Sequence, residues 1–430
     1  MLSTLHGQEM PGSGTLEQRY KGLLDARGKT DANALTNGLL MLILESALRE
    51  SASDVHLDPQ GDIIRLRFRI DGVLKDRLTF SKKDFSVIPQ LRVMADFAPQ
   101  AATAYTAEDG GFEVALCGHN VRFRISSFPS VYGDKIALRI LYMGANTLSL
   151  EHLGFAPDVL AQLKSAIRVP NGIFYVCGVT GGGKTTTLCS ILKILTRPEI
   201  NIMTLEDPVE YLLPGVTQAK INVGAKFNFP DGLRSILRQD PNVIMVGEVR
   251  DRETAEIATR ASLTGHLIFT TIHTVSAVGV IARLVDMGIE PFLVSNSTIG
   301  ALSQCLVRRV CPQCAQPAAP NLQPLGRLLE VMDADTSAIV RTLLTAPEGK
   351  FVKAKGCPSC DGTGYRGRIG LFELLLLNND LKALIDAKAG KTELYRAAIK
   401  RGMRTLLMDG IAKAHAGVTT LEEVLCAVSE

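Results

Sequence analysis

The chain has 430 residues, 46% hydrophobic and 21% charged, which excludes a disordered or collagen-like polypeptide. At about 100–200 residues per domain, this length holds roughly two to four domains. Lys and Arg number 47 against 44 Asp and Glu, a formal charge of +3, so no charge excess points to nucleic acid or to a polybasic membrane anchor.

Residues 1–30 mix Gly, Pro, Ser and charge without a sustained period, which predicts a flexible tail ending at most in a short helix. The start lacks the basic and apolar regions of a secretory signal, and no apolar run of about 18 residues follows. The expectation is a cytoplasmic protein that does not insert in a membrane and meets one only through partners. From Asp31, Leu35, Leu39, Leu42, Leu44 and Leu48 recur at mostly helical spacing. Ile64, Leu66, Phe68 and Ile70 then alternate with Arg65, Arg67, Arg69 and Asp71, the pattern of a half-buried strand. Asp71-Gly72 signals a hairpin turn into Val73 and Leu74. A second helix over 85–97 and strands at 112–116, 121–126 and 136–141 complete a small α+β domain, 31–143. A connector, 144–153, reads as a hinge. Beyond it apolar strands alternate with helices, the signature of a parallel sheet, over 154–310. Residues 311–366 are rich in Pro, Ala and Cys and read as an insertion. The remainder, 367–430, reads as a helical region, with short helices from Leu381 separated by Gly390, Gly402, Gly410 and Gly417.

Within the parallel-sheet region, Gly178-Val179-Thr180-Gly181-Gly182-Gly183-Lys184-Thr185 matches the phosphate-loop pattern G-x-x-x-x-G-K-[ST]. The apolar stretch Gly172–Cys177 precedes it as a strand, and a helix follows from Thr186. Glycines let backbone N–H groups turn toward a phosphate, and the helix N-terminus adds partial positive charge. In this pattern Lys184 reaches the β- and γ-phosphates of ATP, and the Thr185 hydroxyl ligates Mg²⁺. The apolar run Val243–Val246 ends in Gly247-Glu248, an acid placed to hold the metal or to position water. A second acidic cluster, Glu206-Asp207-Pro208, ends another strand; Glu206 either orients the nucleophilic water or, with Asp207, caps a turn. His266 and His273 lie seven apart across an apolar strand, within reach of a γ-phosphate or simply satisfied at the strand ends.

Nine cysteines are present. Five are scattered, and four form the pairs Cys311/Cys314 and Cys357/Cys360, separated by 42 residues. Two C-x-x-C knuckles aim four thiolates at one tetrahedral zinc, and a full sulfur shell makes that site structural. A thioredoxin-type redox pair is the other reading, but the strand–helix setting that motif needs is missing.

GVTGGGKTTT, TLEDPVEY, GLRSILRQDPNVIMVGEVRD and TGHLIFTTIHT, in this order, resemble the bacterial secretion ATPase family that drives type II secretion and type IV pilus assembly. SASDVHLDP, LRFRIDGVL and VRFRISSFPSVYGDKIALRIL echo the same family's N-terminal module, so the resemblance spans about residues 35–430. It implies a RecA-like P-loop NTPase core, a smaller N-terminal α+β (PAS-like) domain and a four-cysteine zinc insertion. It implies that Glu206 is the catalytic carboxylate, Glu248 the Walker B acid, and His266 and His273 the family's histidine box. Arg124 and Arg139 match arginines that reach the nucleotide phosphates from the smaller domain. The partners implied are other copies in a hexameric ring and an inner-membrane platform protein, with no nucleic acid. Val179 and Gly182 stand where relatives commonly show Pro and Ser. The short front leaves the recruiting partner open, since fuller members carry a separate docking domain. A conjugation-type or nucleic-acid motor, and a scaffold in which ATP only fixes shape, are the rival readings.

Overall fold

A computed structural model describes residues 15–97, 106–141, 149–222, 227–323, 325–326, 334–345 and 350–429. The chain divides into two compact units, Met1–Met143 and Gly144–Glu430. Most of the connector expected as a hinge lies outside the described residues; its end is a single 3₁₀ turn, Leu150–His152.

The first unit carries one antiparallel sheet. Its strands are β1 (Asp54–Gln60), β2 (Ile63–Ile70), β3 (Val73–Ser81), β4 (Glu108–Leu116), β5 (His119–Ser130) and β6 (Gly133–Leu141), ordered β3-β2-β1-β6-β5-β4. The alternation legible in the sequence sorts the faces. Ile64, Leu66 and Phe68 of β2 and Phe123 and Ile125 of β5 turn inward and are buried with Leu39, Leu42 and Ile43 of the helix Ala32–Arg49. Each such side chain taken from water contributes roughly 1.5–3 kcal/mol. Within the stretch 1–30, the short helix expected at its end is present. Leu16–Asp25 is a helix closed by a capping box between Thr15 and Gln18, with Leu16 buried in the same core.

The second unit is built on a seven-stranded sheet. Its strands are β7 (Gly172–Cys177), β8 (Ile202–Glu206), β9 (Thr217–Lys220), β10 (Val243–Val246), β11 (Leu267–Ile272), β12 (Thr298–Val310) and, beyond a small ribbon, β15 (Tyr365–Leu376). The order is β15-β12-β7-β11-β10-β8-β9. All neighbours are parallel except β15, which runs antiparallel to β12. Every residue of β7, β10 and β11 is buried, which is why they read as continuous apolar runs rather than alternations.

Two expectations for the C-terminal part are corrected. Residues 367–376 are strand, not helix: β15 extends the main sheet, and the helical region begins at Asn379. Gly410 does not separate helices but sits inside Leu406–His415, where a Cβ would come within 2.3 Å of Val424 Cγ1 on the helix Leu421–Ser429. The glycine marks close helix packing, not a break.

The segment expected as an insertion holds a two-stranded ribbon, β13 (Ala315–Pro317) with β14 (Val352–Ala354), and a helix, Ala334–Thr345. Its cysteines form a small buried cluster of their own, while Leu325 and Val340 are buried in the core of the main sheet.

Candidate active site

The phosphate-loop residues 178–183 leave the C-terminal end of β7 and run into the helix Lys184–Leu195. Gly183 caps that helix in the left-handed conformation, φ +86°, which an L side chain rarely adopts. Gly178 is required by space as well as by φ: a Cβ there would lie 2.0 Å from the backbone oxygen of Gln304 on β12. Val179 packs on the main core, and Gly182 faces Gln304. Lys184 Nζ lies 2.9 Å from the carbonyl oxygens of both Gly178 and Val179, and burial lowers its pKa. Thr186 Oγ1 reaches Tyr211 Oη at 3.4 Å. Loop and helix N-terminus together form a cradle for phosphate oxygens.

The parallel registers bring the two carboxylates to the same sheet edge. β11 pairs Ile272 with Cys177, and β10 pairs Val246 with Thr270 and with Leu205. The phosphate loop, Gly247-Glu248, Glu206 and His273 therefore all emerge at the carboxyl ends of adjacent strands, where ligands bind in open α/β sheets. Glu206 is 3% exposed. Thr204 Oγ1 donates to its Oε1 at 2.7 Å, and Gln218 Nε2 donates to the same oxygen at 2.9 Å. Burial raises the Glu206 pKa, and these two donors, with a backbone hydrogen bond from Glu210, oppose the shift. Oε1 is thus held by both side-chain donors. Glu248 pairs with Arg250, and His273 Nε2 lies 3.4 Å from Glu248 Oε2.

His266 is not brought to this edge. It precedes β11 at the opposite end of the strand; its carbonyl accepts from Gly172 N, at the start of β7, and its Nδ1 lies 2.9 Å from Ala261 O. Six strand residues separate the histidines, roughly 20 Å. A spacing of seven across a strand cannot place both at one phosphate, which corrects the reading of His266 as a contact to it.

Arg124 and Arg139 belong to the first unit and face each other across β5 and β6. Arg139 Nε donates to Asp54 Oδ1 at 3.0 Å, and Arg124 lies 4.0 Å from Asp109. Their side chains are 45% and 60% exposed, so their outer edges can still meet an anion.

The four cysteine sulfurs lie within 4.8 Å of one another. Cys311–Cys357, Cys314–Cys360 and Cys357–Cys360 are 3.9, 3.8 and 3.7 Å apart. A tetrahedron of zinc–sulfur bonds near 2.3 Å requires sulfurs about 3.8 Å apart, so the donor set fits zinc. Burial opposes ionisation of Cys360, but donation from the N–H groups of Cys357 and Gly364 helps to bring its thiol down to about 6. For magnesium, Thr185 and Glu248 offer the hard oxygen donors this ion prefers.

Sequence reasoning passed over Gln304, Gln218, Thr204 and Arg250. Thr204 was within reach, since it stands two residues before Glu206 on the same strand face. Gln218 meets it only through the pairing of β8 with β9.

A strand–loop–helix phosphate cradle with acids at the neighbouring strand ends defines a P-loop nucleotide-binding protein. The comparisons narrow the class. The family model described as "Type II/IV secretion system protein" matches residues 29–426. The type II secretion system protein E of Pectobacterium carotovorum is 43% identical over 410 residues, covering 95% of this chain and 78% of that protein. The type IV pilus assembly ATPase PilB of Thermus thermophilus is 41% identical over 389 residues, covering 90% of this chain but 42% of that longer protein. A crystal structure of the pilus retraction motor PilT with bound ADP superposes with a TM-score of 0.62 at 26% identity, covering 90% of this chain and 96% of that one. The chain belongs to the type II/IV secretion system protein family.

Proposed function

We propose that this protein is an ATPase that powers assembly of a pilus or pseudopilus, in type IV pilus biogenesis or type II secretion. The observation that carries the reading is the meeting at one sheet edge of a complete phosphate loop with Glu206 and Glu248. Lys184 and the loop N–H groups hold the β- and γ-phosphates of ATP. Glu206, buried and gripped at one oxygen by Thr204 and Gln218, orients the attacking water with the other. Thr185 and Glu248 would hold magnesium, which supplies charge neutralisation on the phosphates. Arg124 and Arg139 present cationic charge to the γ-phosphate in the working assembly, and His273 tunes Glu248 from beside it.

The wider setting follows the family resemblance. The protein works as a homo-oligomeric ring, a hexamer, on the cytoplasmic side of the inner membrane. Its partner is a membrane platform protein; no described helix is long and apolar enough to cross a membrane. The zinc-ready cysteine module favours the assembly direction over retraction, and zinc there staples a segment with little apolar core of its own. The direct test is steady-state phosphate release with Mg²⁺ and ATP. Wild type turns over, Lys184→Ala does not, and stimulation by DNA is not seen. Equal release by wild type and Lys184→Ala would overturn the assignment.

A further inference from the structure

Gln304 lies in the middle of β12 and is 2% exposed. A buried side-chain amide costs free energy unless both its ends are matched. Here they are: Nε2 donates to Gly182 O at 2.7 Å, and Oε1 accepts from Thr187 Oγ1 at 2.8 Å. Gly182 is in the phosphate loop, and Thr187 is in the first turn of the helix that follows it. The backbone of the same residue walls the loop from below, since its oxygen blocks any Cβ at Gly178 and lies 3.1 Å from the position of a Cβ on Gly182.

A trans peptide is planar, with its C=O and N–H pointing in opposite directions. Drawing Gly182 O toward β12 therefore turns the N–H of Gly183 away from β12. The bond to Thr187 ties the helix start to the same amide, so loop and helix cannot shift independently. We infer that Gln304 is a positioning residue for nucleotide, holding the Gly182–Gly183 peptide with its N–H turned to the phosphate. This rests on the phosphate-loop reading above. It explains why a strand buried on both sides carries a glutamine among apolar neighbours.

The test is equilibrium binding of a fluorescent N-methylanthraniloyl ATP with Mg²⁺ to the full chain, with thermal unfolding of each nucleotide-free variant alongside. Gln304→Leu leaves Gly182 O without its donor and weakens binding about 10- to 100-fold. Gln304→Glu is nearly the same shape but lacks the donor when ionised. When protonated, its hydroxyl can donate to Gly182 O while its carbonyl accepts from Thr187. Its binding therefore matches the weakness of Gln304→Leu at about pH 8 and recovers toward wild type near pH 6, since burial raises a carboxyl pKa into that range. Wild type shows no such recovery, and a purely structural defect would not track protonation. Binding within twofold of wild type by Gln304→Leu, or pH-independent weakness in Gln304→Glu, overturns the proposal. If Lys184→Ala binds as tightly as wild type, the nucleotide site itself is misassigned, a separate failure that takes this proposal with it.

Discussion

Glu206 shows what burial does to a carboxylate that has work to do. Hidden from water at a strand end, its pKa is raised by burial, and donors from Gln218, Thr204 and the Glu210 backbone offset part of the loss of solvent. In the proposed mechanism the ionised form orients water, so turnover is expected to decline as pH falls through the raised pKa. The acid limb of kcat therefore lies above the ordinary carboxylate value, and Gln218→Leu moves it higher by removing a donor to the anion. A pH profile that Gln218→Leu leaves unmoved would contradict this coupling. Glu206→Gln keeps the shape and hydrogen-bonding volume but not the charge. Turnover then falls roughly 10²- to 10⁴-fold while ATP binding stays near wild type, as paired turnover and binding titrations would show. The sequence alone exposed the motif-bearing residues because a phosphate loop is a local object, contiguous along the chain. The grip on Glu206 and the clamp on the loop were not legible, since Gln218 and Gln304 reach their partners only through β8–β9 and β12–β7 neighbourhood. His266 failed for the converse reason: closeness along a strand was read as closeness in space.

At the scale of elements, periodicity was a reliable guide where one face is buried. The half-buried β2 announced itself, and the fully buried β7, β10 and β11 read as apolar runs bounded by motif residues. Glycine was the weaker guide, because it marks turns and close packing alike. Gly410 is the second kind, facing Val424 Cγ1 at 2.3 Å and Leu371 Cδ1 at 3.1 Å from a would-be Cβ. Gly410→Ala gains about 1 kcal/mol of helix propensity but costs about 1–3 kcal/mol in overpacking against a stiff valine. Net destabilisation is expected in denaturant unfolding, and the same substitution becomes stabilising in a Val424→Ala background. The cysteine module is the other element with a direct test. Four sulfurs at tetrahedral spacing predict about one zinc per chain, lost when Cys314 and Cys360 are replaced by Ser. Metal analysis of the intact protein that finds no zinc would remove the staple.

At the scale of the whole molecule, the chain divides after Met143, with the phosphate loop in one unit and Arg124 and Arg139 in the other. Under the proposed function, the second unit would perform the chemistry, and the first would supply charge to it and answer with movement. Each unit offers an exposed cysteine, Cys117 in the first and Cys426 in the second, whereas Cys177, Cys189 and Cys305 are buried. Spin labels on Cys117 and Cys426, with labelled protomers diluted among unlabelled ones, report the separation of the two units within one chain. The account predicts a distance distribution that shifts when a non-hydrolysable triphosphate and Mg²⁺ are added to wild type, and that does not shift in Lys184→Ala. One unchanged distribution in wild type, with and without a bound triphosphate, would contradict the coupling of nucleotide to motion.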